Sequence, residues 1–224
     1  GPQPTFLHAA RVEVEAFQIG VHGAPDGLND IRAEASDLVC GPGATIAADC
    51  IDILYPEYVP VHWHSAGNDT DDLEGVAPGF YPDPLLRQPW RGVGRVTFPH
   101  TLSIWVRVSV PLDAAPGDYA GSVRVTCGAG SREIAFGVRV APFALPEASG
   151  LLMTNWLLPG PILKYHGVEP LTEQFWDVMA LYAKNLAAHR QNVVLTPLFP
   201  VASTGGIVEG RTQASDHIRM PGRQ

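Results

Sequence analysis

Between residues 101 and 140 apolar side chains recur at every second position in three successive runs, and this constrains the fold more than any other feature of the chain. In "TLSIWVRVSV" the residues Leu102, Ile104, Val106, Val108 and Val110 share one face, while Ser103, Trp105, Arg107 and Ser109 share the other. "GSVRVTC" repeats the pattern with Val123, Val125 and Cys127, and "REIAFGVRV" with Ile134, Phe136, Val138 and Val140. Successive side chains of a strand point to opposite faces, so each run reads as a strand buried on one side. "PLDAAPGDYAG" supplies turn chemistry between the first two runs, and "GAGS" is short enough for a hairpin between the second and third. "RVEVEAFQIGV", "DIRAEASDLV" and "CIDILY" add weaker strand candidates upstream, with no convincing helix before residue 168. Two half-buried sheets must hide their apolar faces against each other, so residues 1–146 are expected to form an antiparallel β-sandwich.

The period changes after "APFALPEASG". "LLMTNWLL" is a continuous apolar run, as expected for a strand covered on both faces. "LTEQFWDVMALYAKNLAAHR" then places Leu171, Phe175, Met179, Tyr182 and Leu186 on one stripe of a helix, with Thr172 as its N-cap. "NVVLTPLF" closes the unit as a second buried strand. A strand, crossover helix and strand make a βαβ unit with parallel strands. The fold expected is therefore mainly β: the sandwich, followed over residues 147–224 by an incomplete (β/α) barrel segment of one βαβ unit. The residues after Pro200 read as a polar, Gly-rich loop.

Residues 64–92 contain no periodic segment and read as a long excursion from the sandwich. Phe80, Tyr81, Leu85, Leu86 and Trp90 are too apolar to leave in water, so Tyr81 and Leu85 are expected to be buried against the second domain, with Asn68 to Asp72 exposed. Asp83 in "YPDP" is expected to be a turn former. His62 and His64, with Asp69, Asp71 and Asp72 nearby, could hold a divalent ion, although solvated loop residues are the default. Three cysteines, Cys40, Cys50 and Cys127, lack zinc-finger spacing; Cys127 reads as a buried structural residue, and Cys40 with Cys50 could close a small loop.

Acidic residues outnumber basic ones by 23 to 15, for a net charge of −8, so nucleic acid is not an expected partner. No apolar run approaches the roughly 20 residues that cross a bilayer, and no membrane association is expected. The chain opens on Gly1 rather than methionine, so the absence of a leader carries no information.

Several stretches together resemble glycoside hydrolase family 123 and the related domain of unknown function family 4091. They are, in order, "VEVEAFQIGV", "YVPV" followed by "FYPDPLL", "LSIWVRVSVPLDAAPGDYAGSVRVT", "PFALP" and "FWDVMALYAKNLAAHRQNVVLTPL". The resemblance implies an N-terminal β-sandwich followed by a (β/α)₈ barrel that acts as an exo-β-N-acetylgalactosaminidase or related glycosidase. It implies substrate-assisted retaining chemistry, in which the sugar's acetamido oxygen attacks the anomeric carbon. An adjacent Asp-Glu pair at the end of a barrel strand orients that group and protonates the leaving oxygen. A glycan substrate and secretion to the periplasm or beyond are implied as well, and neither metal nor organic cofactor. This sequence contains no Asp-Glu dipeptide, so no catalytic residue is carried over. A complete barrel takes about 200 to 250 residues, and the stretch after residue 146 is expected to be its first part.

The active sites of such barrels lie at the C-terminal ends of the strands, which points to Asn155, Trp156 and Thr196 as candidate substrate-binding residues. Trp156 suits stacking on a sugar's C–H face, or a place in a core. Asn155 suits a bond to a sugar hydroxyl, or capping of the turn after the strand. His189 and Arg190 fall at the opposite, stabilising face, with Arg190 placed to tie helix to strand. The rival reading is a non-catalytic carbohydrate-binding or structural sandwich. It requires exposed, coplanar aromatics on one sheet face, for which Trp105 is a lone candidate.

Overall fold

The computed structural model describes residues 5–64, 75–89, 94–146, 150–197 and 215–219, with the backbone alone at 155–156, 195–197 and 215–219. The chain divides into two compact units, Gly1–Leu145 and Pro146–Gln224. The first holds strands β1 (Thr5–Arg11), β2 (Val14–His22), β3 (Leu28–Ala35), β4 (Leu38–Cys40), β5 (Ala44–Ile46) and β6 (Ile51–Val61). It continues with β7 (Gly79–Leu86), β8 (Gly94–Val96), β9 (Thr101–Ser109), β10 (Gly117–Cys127) and β11 (Gly130–Ala144). One sheet runs β1-β11-β10-β3-β8, with β4 and β5 branching from β10, and the other runs β2-β9-β6-β7.

The alternating runs form the core as expected. Ile104, Val106 and Val108 are fully buried, and so are Val123 on β10 and Val138 on β11. These residues belong to one apolar cluster fed by both sheets, and the rings of Phe17 on β2 and Phe136 on β11 meet within it, 4.9 Å apart. The β10–β11 hairpin closes at Cys127 opposite Gly130, where "GAGS" predicts it. The turn-rich segment before β10 does a different job from joining neighbours, because β9 and β10 lie in different sheets. It carries the chain across the sandwich and is pinned by Tyr119, 1% exposed, whose hydroxyl donates to the Ala115 carbonyl at 2.9 Å. A tyrosine bonding back to backbone a few residues upstream is a tyrosine corner, a device of sandwich folds.

The sandwich departs from purely antiparallel pairing at one edge. β1 runs parallel to β11, with Thr5 beside Phe136 and Ala9 beside Val140. Hairpin turns dictate the direction of consecutive strands, but none connects these two. The chain then switches sheets at Val12, which adopts φ 67°, a strained choice for a β-branched residue. Backbone bonds between Val12 and Val110 and between Val110 and Glu13 secure this corner.

The excursion is corrected in part. Residues 79–86 are not aperiodic: they form β7, paired antiparallel with the outer half of β6 through Pro60–Phe80, Val59–Tyr81 and Tyr58–Pro82. The register slips between Pro56 and Tyr58, so Asp83 sits in a bulged strand rather than a turn. Leu85 is 40% exposed, against the expectation of burial. Tyr81 is half-buried, for a local reason: its hydroxyl donates to the Val76 carbonyl at 2.6 Å and its ring covers Gly75 and Gly79, where any Cβ would collide with it. Asn68 to Asp72 and Trp90 lie outside the described residues. All three cysteines are free and partly exposed, so Cys40 and Cys50 close no loop and Cys127 packs at the edge of the core rather than inside it.

The second unit holds β12 (Thr154–Trp156), α1 (Pro159–His166), α2 (Glu173–Ala188), β13 (Val193–Pro197) and β14 (Ser215–Arg219). β12 and β13 are parallel, as a βαβ unit requires. Thr172 caps α2 by accepting from the Phe175 N–H at 3.2 Å. Phe175 is buried with Leu163 and Val168, and Val178 and Met179 pack against them, whereas Leu171 lies outside the helix and is exposed. Three features differ from expectation. A helix, α1, precedes residue 168, begun by Pro159 in its first turn and ended by Gly167 at φ 63°. Leu151, Leu152 and Met153 are exposed, because β12 is only three residues long and lies at the edge of its sheet. Residues 215–219 are a strand, antiparallel to β13, within the stretch read as a loop.

On the outer face of the second sheet Asp52 lies opposite Arg107. Arg107 donates to it through Nε at 3.1 Å and Nη2 at 2.5 Å, and Arg87 pairs with its other oxygen. Burial would raise the Asp52 pKa, but the hydrogen bond and charge of Arg107, joined by Arg87, outweigh it and hold the carboxyl below its ordinary value. Its contribution to stability is therefore present above the unfolded carboxylate pKa near 3.9 and is lost as pH falls through the lower folded value. Asp52→Asn should destabilise by about 1–2 kcal/mol at pH 7, measured by urea unfolding, and the difference from wild type should vanish on acidification into that range. Ile104→Ala should destabilise by about 2–5 kcal/mol, whereas Leu112→Ala, at a position 64% exposed, should change stability by less than about 0.5 kcal/mol.

Candidate functional site

The parallel pairing of β12 and β13 brings the expected site residues to one end of a sheet. Thr154 registers with Val193, Asn155 with Val194 and Trp156 with Leu195, so Trp156 closes β12 one residue short of the level of Thr196. The side chains of Asn155, Trp156 and Thr196 lie outside the described residues, and their part in a site stays a proposal. The register also sets Asp216 opposite Thr196 and His217 opposite Leu195. Sequence reasoning missed this juxtaposition because it read the segment as loop; "SDHIR" offers only a weak alternation as a signal.

The residues before β13 hold the opposite end of the strand pair together, where β12 and β13 begin. Asn192 accepts from the Met153 N–H at 2.8 Å and donates to the Leu151 carbonyl at 3.0 Å, so one amide satisfies two backbone groups just ahead of β12. Arg190 donates to the Pro146 carbonyl at 3.2 Å, which ties it to the connector rather than to a strand. The His189 ring donates through Nδ1 to the Asn185 carbonyl at 2.8 Å and so caps the end of α2. Arg190 therefore bonds the connector where a strand was expected, and His189 bonds within its own helix end.

In the sandwich, a cleft of about 330 Å³ opens where β3 approaches β6, lined by Ile31, Arg32, Tyr55, Arg87, Gln88 and Pro89. Ile31 and Tyr55 are 1% and 5% exposed and make its floor. The Tyr55 hydroxyl accepts from the Ala33 N–H at 3.2 Å, joining the two sheets. Burial raises the pKa of that hydroxyl, against smaller opposing effects of the Ala33 bond and the Arg32 charge. Nothing in the periodicity marks this cleft, since its residues come from three separate stretches.

His64 accepts from the Ala77 N–H through Nε2 at 3.2 Å, and His62 lies beside Trp63. Asp69, Asp71 and Asp72 lie outside the described residues, among which no group of three His, Cys, Asp or Glu side chains could hold a metal ion. No described helix is long and apolar enough to cross a membrane. Trp105 is only partly exposed, and the exposed aromatics of the second sheet are instead Tyr58 and Phe80, on one face of the β6–β7 ribbon.

The chain is similar in structure to a family 123 glycoside hydrolase from Clostridium perfringens, described for glycolipid glycan hydrolysis, with a TM-score of 0.70 and 18% identity over 84% of this chain. It spans 32% of that enzyme's length. Two further similarities are weak: a GspB Siglec domain, at a TM-score of 0.29 and 13% identity, covering 82% of this chain and 73% of that one, and the CooA pilin subunit from enterotoxigenic Escherichia coli, at 0.31 and 12%, covering 64% and 92%. No curated protein matches the chain. Residues 11–127, running from the end of β1 through β10, match the glycoside hydrolase 123 N-terminal domain. They make up more than half of the sequence, and the chain accordingly belongs to the glycoside hydrolase 123 family through this domain.

Proposed function

We propose that these residues form the non-catalytic N-terminal sandwich of a glycosidase, together with the first strand-helix-strand of its (β/α) barrel. The match of residues 11–127 to the family's N-terminal domain carries this reading. The parallel β12–β13 pair with helices between the strands supports it, because a barrel is built by repeating that unit. The substrate class is a glycan with a terminal β-linked N-acetylhexosamine, which the sugar's own acetamido oxygen helps to hydrolyse. Such chemistry needs a carboxylate to orient the acetamido group and an adjacent acid to protonate the leaving oxygen. No Asp-Glu dipeptide is present to supply them. Asn155, Trp156 and Thr196 then line the sugar-facing end of the sheet: Trp156 stacks on the C–H face of the ring, and Asn155 and Thr196 bond its hydroxyls.

The assay is hydrolysis of an aryl β-N-acetylgalactosaminide by residues 1–224. The expected result is a rate equal to the buffer control. Turnover that co-purifies with the protein would show that carboxylates within these residues are competent, and would overturn the non-catalytic assignment.

A further inference from the structure

We propose that the cleft between β3 and β6 binds an acidic monosaccharide unit, with the sugar's carboxylate held between Arg32 and Arg87. The volume of about 330 Å³ lies at the lower end of the range for small-molecule sites. It suits a single pyranose ring rather than a longer chain. Ile31 and Tyr55 are too deeply buried to offer a stacking platform and only close the back of the cleft, so a ring is held at its rim, where Gln88 offers both an amide donor and an acceptor to hydroxyls.

The electrostatics select the acidic sugar. Arg87 is already oriented by Asp52, whose single negative charge is shared with Arg107. Among the described residues no carboxylate lies within ion-pair distance of Arg32. Two guanidinium groups thus share the Asp52 carboxylate, and that of Arg32 has no ion-pair partner among the described residues, in a chain whose net charge is −8. Planar guanidinium groups meet carboxylates through paired N–H donors, and an anion on an already fixed arginine forfeits less side-chain entropy. The family to which the chain belongs works on glycans, which makes a sugar the carrier of that anion. The site lies wholly within the first unit and does not depend on where a catalytic pair resides.

The test is a ¹⁵N chemical-shift titration of the 224-residue chain at low ionic strength with glucuronate, glucose and acetate in separate experiments. Glucuronate should give saturable shifts confined to Ile31, Arg32, Tyr55, Arg87 and Gln88. Glucose, which lacks the charge, and acetate, which lacks the ring, should each bind at least about tenfold more weakly. Arg32→Ala should weaken glucuronate binding by about tenfold or more while leaving the rest of the spectrum unchanged, since Arg32 is exposed and holds no partner that the fold needs. Arg87→Gln gives a second reading with a hydrogen-bonding side chain retained beside Asp52, and should weaken binding in the same direction. Equal binding of glucose or of acetate, no saturable glucuronate shift, or full affinity in Arg32→Ala would each overturn the proposal.

Discussion

The sandwich depends on the contact between the inner face of β9 and the facing sides of β10 and β11. Ile104, Val106 and Val108 reach no water at all, and neither do Val123 and Val138. Apolar burial of this kind contributes roughly 1.5–3 kcal/mol per large side chain, and it is the only term large enough to offset the ordering of the long connections. Because it is non-directional, the remaining devices of the sandwich serve to fix the direction in which the chain enters and leaves it. The Val12 corner moves the chain from one sheet to the other, and the Tyr119 hydroxyl moves it back. The apolar contact extends along β6 as far as Tyr55, past which β6 pairs with β7 among the described residues.

The alternation of β9, β10 and β11 was legible because each strand is buried on one face only. Thr172 and the stripe from Phe175 were legible for the matching reason that a surface helix buries one stripe. β7 was hidden by Pro82 and Pro84, which argue against a strand in the middle of a sheet. It lies at an edge, where a missing N–H leaves no ladder bond unmade, and the bulge opposite Glu57 absorbs the second proline. Helix α1 was hidden by Pro159, Gly160 and Pro161, yet prolines fit a first turn, whose N–H groups have no partner within the helix. The parallel partner of β1 was not legible, since it depends on a contact across 130 residues of chain that no local pattern encodes.

The two candidate sites differ in the same respect. Asn155, Trp156 and Thr196 were put forward from sequence because strand ends in a βαβ unit have a known polarity, and the parallel backbone pairing of β12 with β13 is what that argument requires. The cleft was not reachable: Arg32, Tyr55 and Arg87 come from β3, β6 and the residue after β7, and only the closing of the sandwich brings them together. Asp52 connects the fold to that cleft. Its partners hold it as a carboxylate, and through Arg87 it fixes part of the cleft's rim.

The claim that the sandwich is one cooperative body, held by the β9 contact, is tested most directly by native-state hydrogen exchange resolved residue by residue. The hydrogen-bonded amides of β9, β10 and β11 should exchange with one common opening free energy, equal to that of global unfolding of the first unit, while amides of the β6–β7 ribbon open at lower energy. If β9 amides exchange well before those of β10 and β11, the second sheet opens without breaking the core, and the account is contradicted.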